Sequence, residues 1–236
     1  MDGGAGGITQ ELNIRFHGYF FGNENIWITE TTINMWIIGG AMILFALVLR
    51  SMMGAWNPGR PSGVQNAVEA LVEVFNNYVK SITGEKYAYF GNYFFTVFLF
   101  IMLSNLSGLV LLRNPTADLA VTFALSFLSF FIIHLMGIVH SKGEYFKGFI
   151  SPHPVMLPLN LIGELTPAIS LSFRLFGAVV GGFVVSTLIY NLAPVFMRVG
   201  LPIIIHAYFD VFGGILHAFI FVTLSMVFLK NKLPGN

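Results

Sequence analysis

The 236-residue sequence contains no cysteine. Disulfide bonds and thiolate metal centres are therefore excluded. Charge is scarce as well: Asp, Glu, Lys and Arg make up 10% of the chain, and the formal net charge is +1. That charge says nothing about nucleic acid, and no nucleic-acid partner is expected. The sequence has no G-x-x-x-x-G-K-[ST] loop to cradle a phosphate, so phosphoryl transfer is not expected of this chain. No nucleophile with a nearby base stands at convincing spacing, which argues against a hydrolase. His206 and Asp210 have a metal-ligand spacing but no near third ligand, so neither a metal nor another cofactor is expected. The N-terminus has no cationic segment ahead of an apolar core, and no cleavable signal peptide is expected. Internal repeats and low-complexity tracts are absent.

Apolar bulk is what the chain has instead. Hydrophobic residues make up 56% of it, with 25 Phe, the composition of an integral membrane protein. A helix needs about 20 apolar residues to cross the hydrocarbon core. Five regions qualify: Thr32–Met53, Tyr89–Leu112, Ala117–Val139, Pro154–Ala193 and Pro194–Leu229. The last two are longer than a perpendicular crossing requires, which implies tilt or an added interfacial segment. The expected fold is an all-α integral membrane protein of five spans. It forms one membrane domain over residues 1–236, with 1–31 an external N-terminal segment and 32–232 membrane-embedded. Lysine and arginine collect on one side: Arg50, Arg60, Lys80, Lys86, Lys142, Lys147, Lys230 and Lys232, against Arg15, Arg113 and Arg198 on the other. Positively charged loops stay inside, so the N-terminus is expected outside and the C-terminus in the cytoplasm. Between the first two spans, Pro61–Ile82 places Val64, Val68, Leu71, Val72, Phe75 and Val79 on one helical face. This reads as an amphipathic helix on the membrane surface; a loop helix packed on the other spans fits the same pattern.

Against this background the ionisable residues inside the spans stand out. Arg174 lies in Ser170-Leu171-Ser172-Phe173-Arg174-Leu175-Phe176-Gly177. A guanidinium keeps its proton in a protein, and at mid-membrane it costs at least about 2.5–3.5 kcal/mol. With Asn160 as origin, helical spacing puts Glu164 near +40° and Arg174 near −40°, with Ala178, Gly181 and Gly182 close to the same meridian (about 100° per residue). Gly177/Gly181 and Ala178/Gly182 are small-xxx-small pairs that let another helix approach closely; that helix is either a span of this chain or a separate one. His206, Asp210 and His217 fall on one stripe of the fifth region. Intramembrane carboxylates and imidazoles mark ion pathways. Asp118 opens the third span, where an acid in the first turn favours the helix dipole and Thr116 could cap; a place in an outer aqueous vestibule is a further role for it. His134 reads as a packed or interfacial side chain, and Arg198 as one that snorkels.

Ser170–Gly177 resembles the S-L-x-x-R-L-F-G signature of the membrane-embedded a subunit of F-type rotary ATP synthases. Pro61-Ser62-Gly63-Val64-Gln65-Asn66 is similar to the family's R-P-x-G-x-Q-N stretch, Asn114–Asp118 to its P-T-A-D opening and Ala218-Phe219-Ile220-Phe221 to its A-F-I-F close. The likeness covers roughly residues 30–232. It implies a stator whose last two helices form a long tilted hairpin against a rotating ring of c subunits, with b subunits of a peripheral stalk and a soluble ATPase head as further partners. It implies two offset aqueous half-channels delivering H⁺ or Na⁺ to and from ring carboxylates. Arg174 would separate them, Asp118, Asn160, Glu164, His206, Asp210 and His217 would line the ion pathway, and Gly177, Ala178, Gly181 and Gly182 would face the ring. ATP chemistry would belong to partners, and the setting would be a bacterial plasma membrane. The sequence departs from the family pattern at four positions: Ala178 for a frequent Asn, Phe183 for Glu, Asp210 for His and His217 for Gln. A carboxylate moved from the fourth region to the fifth would reconcile Phe183 with Asp210. The competing reading is an ion-coupled secondary transporter; the lack of a repeat and of paired broken helices counts against it.

Overall fold

The computed structural model describes residues 16–19, 27–54, 56, 63–110, 112–150, 153–192 and 207–233. His206, Arg198, Arg15, Arg60, the start of the surface helix at 61–62 and residues 194–206 of the fifth region lie outside the described residues.

Five helices are long and apolar enough to cross a membrane: Glu30–Met53, Glu85–Leu109, Leu119–His140, Pro154–Ile189 and Tyr208–Lys232. They fall on the five apolar regions, as the need for some 20 apolar residues dictates. Ahead of them, β1 (Phe16–Tyr19) and β2 (Trp27–Thr29) pair antiparallel, a short ribbon that the sequence pattern did not announce. Helix α1 (Glu30–Met53) starts where the Thr29 hydroxyl accepts the Thr32 N–H at 3.2 Å, an ordinary N-cap. It stays peripheral, with Ile43, Leu44, Phe45 and Leu47 all exposed.

Helix α2 (Gly63–Thr83) joins both readings of the surface segment. Its C-terminal half is docked: Val79 is fully buried, Phe75 meets Phe95 edge-on at 5.0 Å, and Tyr78 stacks on Phe219 and shares a 2.7 Å hydrogen bond with Thr223. Its N-terminal half leaves Val64, Leu71 and Val74 uncovered.

The core forms where α3 (Gly91–Leu106), α4 (Leu119–Ile150), α5 (Leu157–Leu192) and α6 (Gly214–Lys232) meet. Phe94, Ile101, Leu175, Phe221, Val222 and Met226 fill it. Lipid offers no hydrophobic contrast between spans, so close packing and interhelical hydrogen bonds must hold them. The α4–α5 seam has both. Ser126 donates to the Ala168 carbonyl, Thr122 and Ser172 hydroxyls lie 3.2 Å apart, and Ser129 meets Tyr93 from α3 at 2.9 Å.

Helix α5 has two contrasting sides. Ala168, Leu171, Ser172, Leu175, Gly182 and Ser186 are buried, at steps of one to seven residues along one side of the helix. Thr166, Ser170, Arg174, Gly177, Gly181 and Leu188 lie exposed along the other. The chain before α6 departs from the α-helical expectation: Ala207–Gly213 is π-helical. The wider turn of such a segment means that a stripe drawn at α spacing does not carry through it unchanged.

Candidate ion pathway

Two polar clusters sit at opposite ends of the bundle, each built against α5. The first surrounds Asp210. A cavity of about 30 Å³ is lined by Asn105, Asn114, Ala178, Val179, Gly182, Phe209, Asp210, Gly214 and His217, room for about one or two waters. Asn105, an amide in the last turn of apolar α3, organises its floor. Its Nδ2 donates to the Gly214 carbonyl at 3.1 Å, while its Oδ1 accepts from Asn114 Nδ2 at 3.2 Å and from the Thr116 hydroxyl at 2.7 Å. The close approach of α3 to α6 needs a glycine, because a Cβ at Gly214 would lie 2.8 Å from Asn105 Cβ. The Asp210 carboxylate comes to within 3.7 Å of where a Gly108 Cβ would stand. His217 is half-buried, and among the described residues its buried Nδ1 has no hydrogen-bond partner. Asp210 and His217 thus share a cavity despite the π-helical turn between them.

The second cluster surrounds Glu164. His134 on α4 and Lys232 at the end of α6 converge on its carboxylate: Lys232 Nζ donates to Oε1, and His134 Nε2 stands 3.5 Å from Oε2. Asn160, one turn before Glu164, donates to the Phe149 carbonyl at 2.9 Å. These groups border a second, larger cavity of about 310 Å³, lined by Tyr145, Phe149, Leu159, Asn160, Gly163, Glu164 and Lys232. Burial, and then the neighbouring Glu164 carboxylate, push the Tyr145 phenol up to about 12, so it stays a neutral hydroxyl at ordinary pH. Sequence reasoning placed Asn160 and Glu164 together but missed Lys232, His134 and Tyr145.

Arg174 lies between the two. Along α5 it is ten residues from Glu164, about 15 Å, and four to eight from Ala178 and Gly182, about 6–12 Å. Its side chain is exposed, and among the described residues it has no ion pair. The small-residue face next to it is narrower than the helical meridian predicts. Among the described residues a Cβ at Gly177 or Gly181 would meet nothing within 4 Å, whereas at Gly182 it would touch Phe209 at 3.2 Å. Gly182 therefore turns inward against this chain's own π-helical segment, and Ala178 lines the Asp210 cavity. Gly177 and Gly181 remain on the open side.

Asp118 borders neither cavity. Its carboxylate accepts the Ala120 N–H at 3.0 Å at the start of α4. Asp118 is thus the cap that the sequence assigned to Thr116, whose hydroxyl is turned to Asn105 and Asn114 instead. Phe183, at the position of the family's glutamate, follows Gly182 and lies outside the Asp210 cavity lining.

The ATP synthase A chain family pattern matches residues 32–230. A relative named ATP synthase subunit a from Streptococcus agalactiae is 34% identical over 192 residues, covering 75% of this chain and 80% of the relative. One of the same name from Limosilactobacillus reuteri is 32% identical over 222 residues, covering 86% of this chain and 94% of its own. A third, from Propionigenium modestum, is named ATP synthase subunit a, sodium ion specific; it is 30% identical over 229 residues, covering 87% of this chain and 74% of the relative. With five membrane-crossing helices and a match of this extent, the chain belongs to the ATP synthase A chain family.

Proposed function

We propose that this chain is the ion-conducting stator of an F-type ATP synthase, in which Arg174 separates two half-channels that feed the carboxylates of a rotating c-ring. The observation that carries this reading is the setting of Arg174. It is exposed beside the open Gly177 and Gly181, between the Glu164 cluster and the Asp210 cluster along α5. An intramembrane guanidinium facing outward needs an anionic partner from outside the chain. A ring carboxylate supplies one, and an obligate cation between two access paths blocks a direct leak. The b subunits and the soluble ATPase head complete the assembly, and nucleotide chemistry stays with the head. The chain sits in a bacterial plasma membrane with its N-terminus outside, so the Asp210 cluster lies on the outer side and the Glu164 cluster on the cytoplasmic side. The ion is H⁺ or Na⁺.

The absence of native cysteine makes the test direct. Gly177→Cys and Gly181→Cys each place one thiol on the open face, and each should form a disulfide with a cysteine set beside the ring carboxylate. Gly182→Cys, behind Phe209, should not. Failure of both open positions to form the adduct would overturn the reading.

Asp210 takes the place of the family's displaced glutamate on the outer path. It faces α5 at Ala178, Val179 and Gly182, immediately before Phe183. Asp210→Asn should slow ion flux by roughly a hundredfold, the scale of a lost proton-transfer group, without loss of assembly. Phe183→Glu combined with Asp210→His should restore part of the flux. Parental flux in Asp210→Asn would make this carboxylate structural.

A further inference from the structure

Lys232 is more than a topological charge at the end of the chain. Its Nζ reaches the Glu164 carboxylate across 68 positions of sequence, and both side chains are mostly covered, with 23% and 25% of their surface exposed. The lysine is also seated. Its Nζ lies 5.9 Å from the centre of the Tyr145 ring. Its Cβ and that ring occupy the notch left by Gly137, where an added Cβ would lie 3.4 Å from Lys232 Cβ and 2.7 Å from Tyr145 Cε2. Among the described residues, Lys232 from α6 and His134 from α4 face Glu164, with Tyr145 from α4 and Asn160 from its own helix on the same cavity wall. A carboxylate on the wall of a cavity of about 310 Å³ is where a migrating cation would pause. An ammonium already sits there.

We propose that Lys232 is a tethered competitor for the passing cation: by pairing with Glu164 it neutralises the wall of the larger cavity and sets how readily ions cross that end of the pathway. This rests on the stator reading above and adds to it a residue that tunes conductance. Lys232 is a positioning residue, acting through Glu164. The proposal gives opposite signs to two neutralising substitutions. Lys232→Gln leaves the cavity with a net negative charge, which attracts a cation. Glu164→Gln removes the negative charge from the wall and keeps the ammonium, which repels one.

The test uses the membrane sector freed of its soluble head, in vesicles, with passive ion flux driven by a potassium diffusion potential. Lys232→Gln should raise flux severalfold, and Glu164→Gln should lower it about tenfold, a change of about 1.4 kcal/mol. The double variant should return close to the parent, and Lys232→Arg, which keeps the charge, should undo the rise. A purely structural pair would lower flux in both single variants. Changes of the same sign, or no change in either, overturn the proposal. If Glu164→Gln does not assemble, the comparison of Lys232→Gln with Lys232→Arg decides alone: flux raised in the first but not the second supports the proposal, and any other result overturns it. The cysteine adducts at Gly177 and Gly181 report separately on the stator reading, so that each idea fails by its own measurement.

Discussion

Arg174→Ala should abolish ATP-driven ion pumping while leaving the subunit in its complex. The side chain takes no part in the packed core; that role falls to Leu171 and Leu175 on the opposite side of α5. Truncating it opens no internal cavity, so assembly should survive. What is lost is the fixed charge between the two clusters. Removing one partner from a desolvated ion pair costs about 3–5 kcal/mol, roughly a hundred- to several thousandfold in a rate that depends on it. Arg174→Lys should fail nearly as badly. A lysine carries its charge at a point, can give up its proton when desolvated, and lacks the planar fork that grips a carboxylate in two places. Proton uptake into inverted vesicles on addition of ATP measures the effect. Near-parental pumping by Arg174→Ala would sink the assignment.

The second large effect should come from Gly181→Leu. Among the described residues nothing stands within 4 Å of a Cβ at Gly181, so a leucine there leaves their packing undisturbed. A defect would then point to a helix from outside the chain. If a second helix passes close by, as small-residue faces allow, the added side chain overpacks that contact by about 1–3 kcal/mol, roughly ten- to a hundredfold in turnover. The informative control is Gly182→Leu. It should damage this chain directly, because Phe209 already fills that space, and its defect should appear as lost expression rather than as an assembled but stalled motor. ATP hydrolysis by the assembled complex separates the two. Normal turnover in Gly181→Leu would show that no ring helix runs over this face.

Much of the fold could be read directly from the sequence, for a simple reason. A membrane span is a run of about 20 apolar residues, and such runs need no knowledge of the rest of the molecule. The same is true of Arg174, whose oddity lies in its immediate neighbours. What stayed hidden involves two elements at once. Helical spacing groups Gly181 with Gly182, but only the position of Phe209 sends one outward and the other inward. Lys232 reads as a cytoplasmic anchor because positive charge collects there; its seat on Glu164 depends on how α6 lies against α4 and α5. His134 likewise looks like a core imidazole until the partner helix brings the carboxylate to 3.5 Å. The one local signal that was passed over is Asn105. A carboxamide deep in an apolar run must find hydrogen-bond partners, and it ties together the floor of the Asp210 cavity. The π-helical Ala207–Gly213 has no such mark: its Tyr, Phe, Asp, Val and Gly are weak helix formers, but weak propensity does not tell a π register from an α one.

The outward turn of Arg174 also bears on how a cell makes this protein. On the proposed stator reading, a newly inserted copy with no ring beside it presents a guanidinium to hydrocarbon, at a cost of at least about 2.5–3.5 kcal/mol relieved by thinning the bilayer or drawing in water. Water drawn to that depth shortens the barrier between the two cavities. On that reading an orphan subunit would be a liability to the membrane potential, and synthesis matched to the arrival of the ring would limit it.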